Sequence, residues 1–257
     1  MPQNKLQAAA ELITAAYTDG KQIDSSTVTH LLPMGKTEAY QIQDLVSELL
    51  TDSKESQNVW KTGANTLEEI PFAAPIPSPF VHKTGAQLDS SKFHMIGVES
   101  ELVFEFGQDM PDIGRDYTES EVMAAIAKVR VAVEIIDTRF KDWSNTEDSW
   151  LLSDNSMSGG IILGDGTTDV RSINYAQQVA QIMINGELHT QKKGGLPTVD
   201  PTHLVVWICN HRSKRDGGFK KGQMVTTGTH VGMPEVTKGA TVEARFPGIG
   251  SAYVEFK

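Results

Sequence analysis

The chain has 257 residues, 39% hydrophobic and 22% charged, a composition that suits a globular fold able to bury a full core. Lys plus Arg total 23 and Asp plus Glu total 33, a formal net charge of −10, which argues against a nucleic-acid partner because such a protein needs a basic stripe to displace counterions. Cys209 is the only cysteine, so neither an internal disulfide framework nor a Cys-rich zinc site can form, and no apolar run approaches the roughly 20 residues of a membrane span.

Met1–Thr14 lacks a basic segment followed by an apolar one, so no secretory leader is expected and a cytoplasmic location is. No period of 20–50 residues repeats, which excludes a solenoid. Leu6, Ala9, Ala10, Ile13, Ala16 and Tyr17 recur at helical spacing until Asp19-Gly20, and a second helix fits Thr37–Leu50 with Tyr40, Leu45, Val46, Leu49 and Leu50 on one face; both read as packing helices. Pro71, Pro75, Pro77 and Pro79 forbid a helix and mark an extended connection. The domain boundary is placed there, with a helical domain over 1–70 and a β-rich domain over 71–257.

His94–Phe106 reads as a strand. Thr118-Glu119-Ser120-Glu121 is a capping box, predicting a helix through Val122, Ile126 and Val129 that gives way to a strand over Val131–Ile136. Val179–Ile184 is a strand ending in the turn signal Asn185-Gly186. Asp200-Pro201 opens a helix to about Lys214, stopped by Gly217-Gly218. Met224–Thr227, Thr241–Phe246 and Ser251–Phe256 are strands. The predicted class is α+β.

Four segments carry chemistry. Glu99 and Glu101, two apart on a predicted strand, share a face; they fit a solvated strand face or half of a site for Mg²⁺ or Mn²⁺, which take oxygen ligands. Glu134 lies in the apolar run Val131–Ile136 and needs a partner there, either a cation shared with Glu99 and Glu101 or an arginine such as Arg130 or Arg139. Lys61, before Thr62-Gly63, is a solvated surface group or, beside an oxyanion, a proton donor or electrostatic stabiliser. Thr226-Thr227-Gly228-Thr229-His230 is a polar turn, or a set of hydroxyls and amides able to hold a carboxylate, with His230 as an acid or base. His203 and His211 show no metal spacing. There is no Walker loop, dinucleotide-binding glycine fingerprint or Gly-x-Ser-x-Gly elbow.

The ordered set Tyr40–Gln43, Trp60–Gly63, Glu99–Glu101 with Phe106-Gly107, Glu134–Arg139 with Asp142-Trp143, Ser153–Ser156 with Gly159-Gly160, Asn185–Glu187, Thr227-Gly228 and Gly248–Ser251 resembles the 2-keto-4-pentenoate hydratase branch of the fumarylacetoacetate hydrolase superfamily, over nearly the whole chain. The resemblance implies a β-roll core with a small helical N-terminal part and a homo-oligomer. It implies Mg²⁺ or Mn²⁺ held by Glu99, Glu101 and Glu134, chelating the carboxylate and 2-oxygen of a 2-hydroxydienoic or 2-oxo acid as a Lewis acid. Lys61 matches the family's active-site lysine. Asp154 is carried over as catalytic, with Asn155 and Ser158 from the same segment and Thr227, Gly228 and Thr229 as substrate-binding. The implied activity is hydration of a 2-hydroxy-2,4-dienoate to a 4-hydroxy-2-oxo acid in aromatic-compound catabolism.

Two departures bear on this. The acidic residue usual after the boundary is absent from Ala74–Phe80, and the usual Ser/Thr-Gly-Ala-Leu-Gly stretch is Thr227–Val231, which makes His230 the candidate to take over proton transfer. The same residues serve a 2-oxo-acid decarboxylase of the 4-oxalocrotonate type, and carbon–carbon hydrolysis occurs on the same fold. A non-catalytic 2-oxo-acid-binding member is the alternative of another class, against which stands the retention of Glu99, Glu101, Glu134 and Lys61 together.

Overall fold

A computed structural model of the chain describes residues 2–51, 58–194, 196 and 200–257; Met1 and residues 52–57, within the expected helical domain, lie outside that range. Two helices open the fold, α1 (Pro2–Asp19) and α2 (Gly35–Leu50). Ala9, Ala10, Ile13 and Ala16 of α1 bury themselves against Ile42 and Val46 of α2, and Phe140 and Trp150 close the cluster. The predicted face of α2 is buried at Tyr40 and Val46, whereas Leu49 is 43% exposed.

The proline-rich stretch is more than a connection. Strand β1 (Val59–Gly63) pairs antiparallel with β2 (Phe72–Ile76), which places Pro75 opposite Trp60. β2 is the edge of its sheet, where a residue without an N–H is tolerated. β1 then runs parallel to β10 (Met224–Thr226), so the main sheet draws a strand from the N-terminal side of the boundary placed at 70/71. The short strands β3 (Val81–Lys83) and β4 (Ala86–Leu88) follow.

Expected strands form at β5 (Gly97–Phe106), β8 (Val179–Ile184), β11 (Thr241–Phe246) and β12 (Gly250–Phe256). The capping box at Thr118 forms with both its hydrogen bonds, but the helix it starts, α3 (Glu119–Ala125), is shorter than expected. Ile126 is extended (φ −75°, ψ 119°), and the chain enters β6 (Ile126–Ile136) there; Ile126, Val129 and Val131 are β-branched and pack better on a pleated sheet. β8 turns at Asn185 (φ 54°) and Gly186 (φ 81°) into β9 (Glu187–Lys193), the double positive φ of a type I′ hairpin. α5 (Thr202–Asp216) ends at Gly217 in the left-handed conformation.

The sequence reading misses α4 (Asp148–Ser153) and β7 (Ser158–Thr167). The glycines that disguise β7 as a loop serve close packing: a Cβ on Gly164 would lie 2.0 Å from the Ser251 carbonyl oxygen.

The strands make a seven-stranded sheet, β2-β1-β10-β5-β6-β7-β3, and a five-stranded sheet, β4-β12-β11-β8-β9. Phe104, Val131 and Val133 of the first share one apolar cluster with Val242, Ala244 and Val254 of the second, joined by Val205 and Ile208 of α5. The architecture is α+β, a small helical N-terminal part against a β-roll of the expected kind. Among the described residues, no helix is long and apolar enough to cross a membrane.

Candidate metal and substrate site

Four adjacent strands, β1, β10, β5 and β6, build the site. Antiparallel register sets Glu99 directly opposite Glu134, and the two-residue period of β5 puts Glu101 on the same face as Glu99. One carboxylate oxygen from each glutamate lies within 4.8 Å of the others. Glu101 and Glu134 are buried.

Three carboxylates so placed resist ionisation. Burial first, then the neighbouring charge of Glu134, raises the Glu99 pKa to about 7. Burial and Glu99 raise Glu101 to about 8. Burial raises Glu134 to about 8 despite the lowering effect of Lys61. Lys61, buried on β1, forms an ion pair with Glu134 and donates to the Ser156 carbonyl at 3.2 Å. Burial opposes its charge, but Glu134, Glu99 and Glu101 outweigh that and hold its pKa above the ordinary value. The partner of Glu134 is therefore neither of the arginines considered: Arg130 pairs with Glu105 at 2.8 Å and Arg139 with Asp154 at 2.6 Å.

The arrangement fits a divalent cation. Three ionised carboxylates against one ammonium leave two negative charges uncompensated. Glu101 is gripped on one side, where Oε2 accepts from the Thr226 hydroxyl and, at 3.1 Å, from the Gly228 amide. Its Oε1 is buried and has no hydrogen-bond donor among the described residues. An oxygen left bare in this way costs free energy unless a cation meets it.

These groups line a cavity of about 1050 Å³. Lys61, Glu99, Glu101 and Glu134 form its inner wall, with Thr227, Gly228 and Thr229 beside them. Met157, Leu196, Leu204 and Met233 give it apolar sides, none of which the sequence assigns to a site. Thr229 also steadies its own turn, donating to the Gly232 carbonyl at 2.8 Å.

Other expected site residues do not line the cavity. His230 is a correction: its amide bonds the Ser100 carbonyl at 3.1 Å, and the ring turns into the core, edge-on to Phe246 at 5.1 Å. Burial holds its pKa down at about 4, and neither ring nitrogen has a partner among the described residues. It is not placed to move a proton at the cavity.

Asp154 is a second correction. It accepts from Arg139 Nε at 2.6 Å and from the Arg139 amide at 3.0 Å, fully buried. Arg139 is further fixed by cation–π contact with Tyr17 at 4.1 Å. Asn155 donates to the Tyr17 hydroxyl at 3.3 Å, and the Ser158 backbone carbonyl accepts from that same hydroxyl at 3.3 Å; neither residue lines the cavity. The cavity instead meets Ser156 and Met157. Asn155, Ser156 and Met157 have φ of 49°, 51° and 60°, a left-handed run that is costly for residues with a Cβ. The Arg139–Asp154 pair anchors its start, and the run delivers the Ser156 carbonyl to Lys61. The segment Ala74–Phe80, where the usual acidic residue is missing, does not line the cavity.

No family model matches the chain. It is 28% identical over 167 residues to a 2-keto-4-pentenoate hydratase of Paraburkholderia xenovorans (strain LB400), an alignment covering 65% of this chain and 61% of that protein. The chain thus spans about 60% of the length of the first curated relatives it matches. A solved 4-oxalocrotonate decarboxylase from Pseudomonas putida G7, complexed with magnesium and adipate, superposes with a TM-score of 0.87 at 22% identity over 99% of this chain and 98% of that one. Fumarylpyruvate hydrolase from Pseudomonas aeruginosa, in complex with Mn²⁺ and pyruvate, gives a TM-score of 0.56 at 15% identity, covering 77% and 88%.

Proposed function

We propose that the chain, which is similar to 2-keto-4-pentenoate hydratases and has the fold of the fumarylacetoacetate hydrolase superfamily, is a divalent-metal-dependent hydro-lyase, adding water to a 2-hydroxy-2,4-dienoate to give a 4-hydroxy-2-oxo acid. The observation that carries this reading is the convergence of Glu99, Glu101, Glu134 and Lys61 on the inner wall of one cavity. A Mg²⁺ or Mn²⁺ ion held by the three glutamates would supply Lewis-acid polarisation of a chelated carboxylate and 2-oxygen.

The protein's own groups do the rest. Thr226 and the Gly228 amide hold Glu101 in its ligating orientation. Thr227, Gly228 and Thr229 border the place of the substrate carboxylate. Lys61 is the one buried cation of the cavity wall among the described residues. It is placed to stabilise the charge that develops on the 2-oxygen and to deliver or take a proton there. Met157, Leu204 and Met233 keep bulk water from the conjugated chain.

Decarboxylation of a 2-oxo acid on the same chelating residues is the second reading, favoured by the likeness to 4-oxalocrotonate decarboxylase. The test is turnover of 2-hydroxypenta-2,4-dienoate with Mg²⁺ or Mn²⁺, followed by loss of diene absorbance and by carbon dioxide release. Loss of the diene without carbon dioxide, abolished in Glu101→Gln, is expected. An unchanged diene with both metals would contradict the enzyme reading.

A further inference from the structure

Resting on the chelating site just described, the cavity also speaks to the rest of the substrate. Its inner end carries Glu101, Glu134 and Lys61, all buried, and the half-buried Glu99. Its mouth is exposed and formed by the start of α2, the segment after β1 and the start of α4. Among the described residues the mouth presents three carboxylates, Glu69, Glu147 and Asp148, against one cation, Lys36. Lys36 donates to the Ile70 carbonyl at 3.1 Å and keeps its charge, which leaves the mouth a formal excess of two negative charges.

Between mouth and inner wall the lining mixes Thr62, Ser149 and Ser156 with a larger set of apolar side chains. Leu204, buried, and Met157, Met233, Phe72 and Leu151, half-buried, make up that set. Ile70 is 73% exposed and Trp143 38% exposed at the same opening. The cavity, about 1050 Å³, is at the upper end of the roughly 300–1,000 Å³ that drug-sized ligands occupy. A bare five-carbon dienoate leaves most of that space empty. A second carboxylate at the far end would face the like charge of Glu69, Glu147 and Asp148 at the mouth.

We propose that the substrate carries, beyond its chelating 2-oxo-acid end, a bulky uncharged apolar substituent and no second carboxylate. The chemistry supplying it is therefore ring opening of an alkyl- or aryl-substituted aromatic whose side chain survives on the dienoate.

The test is calorimetric titration of the Mg²⁺-loaded protein at low ionic strength with three stable 2-oxo acids: pyruvate, 4-phenyl-2-oxobutanoate and 2-oxoadipate. Pyruvate reports the chelating end alone. The phenyl compound is expected to bind at least tenfold more tightly than pyruvate, and 2-oxoadipate no more tightly than pyruvate. In Glu147→Gln/Asp148→Asn, the affinity of 2-oxoadipate relative to pyruvate should rise severalfold. Tighter binding of 2-oxoadipate than of pyruvate by the unmodified protein would overturn the inference while leaving the chelating site standing, as would a phenyl compound no better than pyruvate. Failure of all three, with oxalate also failing to bind in the presence of metal, would overturn the chelating site and this inference with it.

Discussion

Glu134 and Glu99 face each other across the β5–β6 register, and among the described residues the only charge that relieves them is the Lys61 ammonium, ion-paired with Glu134. Lys61 comes from β1, two strands away from β5, with β10 between them. The site is thus assembled from segments spread over some 165 residues of sequence, with Lys61 and Glu134 held by their ion pair and Glu101 by the Gly228 amide.

The glutamates set how the metal-free protein responds to pH. The folded pKa values of Glu99, Glu101 and Glu134, about 7, 8 and 8, lie above the ordinary 4.5. Their protonated forms are therefore the ones the fold favours. That contribution is complete below pH 4.5 and is lost as pH rises through 7 to 8. In EDTA, urea unfolding should show stability contributed by the triad falling between pH 5 and 8, and Glu101→Gln should flatten part of the slope. Saturating Mg²⁺ should abolish the decline. A slope unaffected by metal would separate the triad from cation binding.

Lys61→Met should lower turnover far more than metal affinity, because the ammonium opposes cation binding while serving the substrate oxygen. It also removes the one group that lowers the Glu134 pKa, so in the metal-free protein Glu134 should hold its proton to still higher pH. Turnover equal to the unmodified protein would make Lys61 a bystander.

Arg139 and Asp154 act through the left-handed run that follows them. Arg139→Met should destabilise by about 3–5 kcal/mol, since it strands the buried Asp154 carboxylate. The double variant Arg139→Met/Asp154→Leu should recover much of that stability. It should keep a lowered kcat at unchanged metal affinity, because the Ser156 carbonyl no longer meets Lys61 in register. Full kcat in the double variant would mean that the run holds its shape without the pair.

His230 titrates in the opposite sense to the triad. Burial keeps its folded pKa at about 4, below the ordinary 6.5. The unfolded chain takes up a proton as pH falls through 6.5 and the folded one does not, so this contribution is complete above 6.5 and is lost toward pH 4. Between pH 7 and 5 the difference is about 2 kcal/mol. His230→Phe, measured beside the unmodified protein in EDTA, should remove that component. The pH–rate profile of the metal-loaded enzyme should not move with this substitution, in contrast with a proton-transfer role for the ring.

Much of the fold was legible because local chemistry and tertiary packing agree at β5, β8, α5, β11 and β12. Where they part, the reading fails for identifiable reasons. β7 is rich in glycine because Gly164 must pass under the Ser251 carbonyl, and no local pattern reveals a contact nearly 90 residues away. β2 contains Pro75, which only an edge position permits. In the site, the period of β5 already set Glu99 beside Glu101, but the pairing of Glu134 with Lys61 depends on strand order. Asp154, Asn155 and Ser158 lie in the correct segment, yet three consecutive positive φ angles put Ser156 and Met157 at the cavity instead. Residues of a common type in an uncommon backbone conformation leave no trace in composition or spacing. His230 misled for the reverse reason: a titratable side chain beside a polar turn is, here, core.

The central claim is that Glu99, Glu101 and Glu134 hold a divalent cation that presents itself to a 2-oxo acid. The most direct measurement is the melting curve of the purified protein in EDTA, with Mg²⁺ or Mn²⁺, and with metal plus oxalate, which imitates the chelating carboxylate and 2-oxygen. A ligand at 100 times its dissociation constant adds about 2.7 kcal/mol. The account predicts stabilisation by metal and a further shift by oxalate only when metal is present, both lost in Glu101→Gln. No shift with either metal, or an oxalate shift of the same size in EDTA, would contradict it.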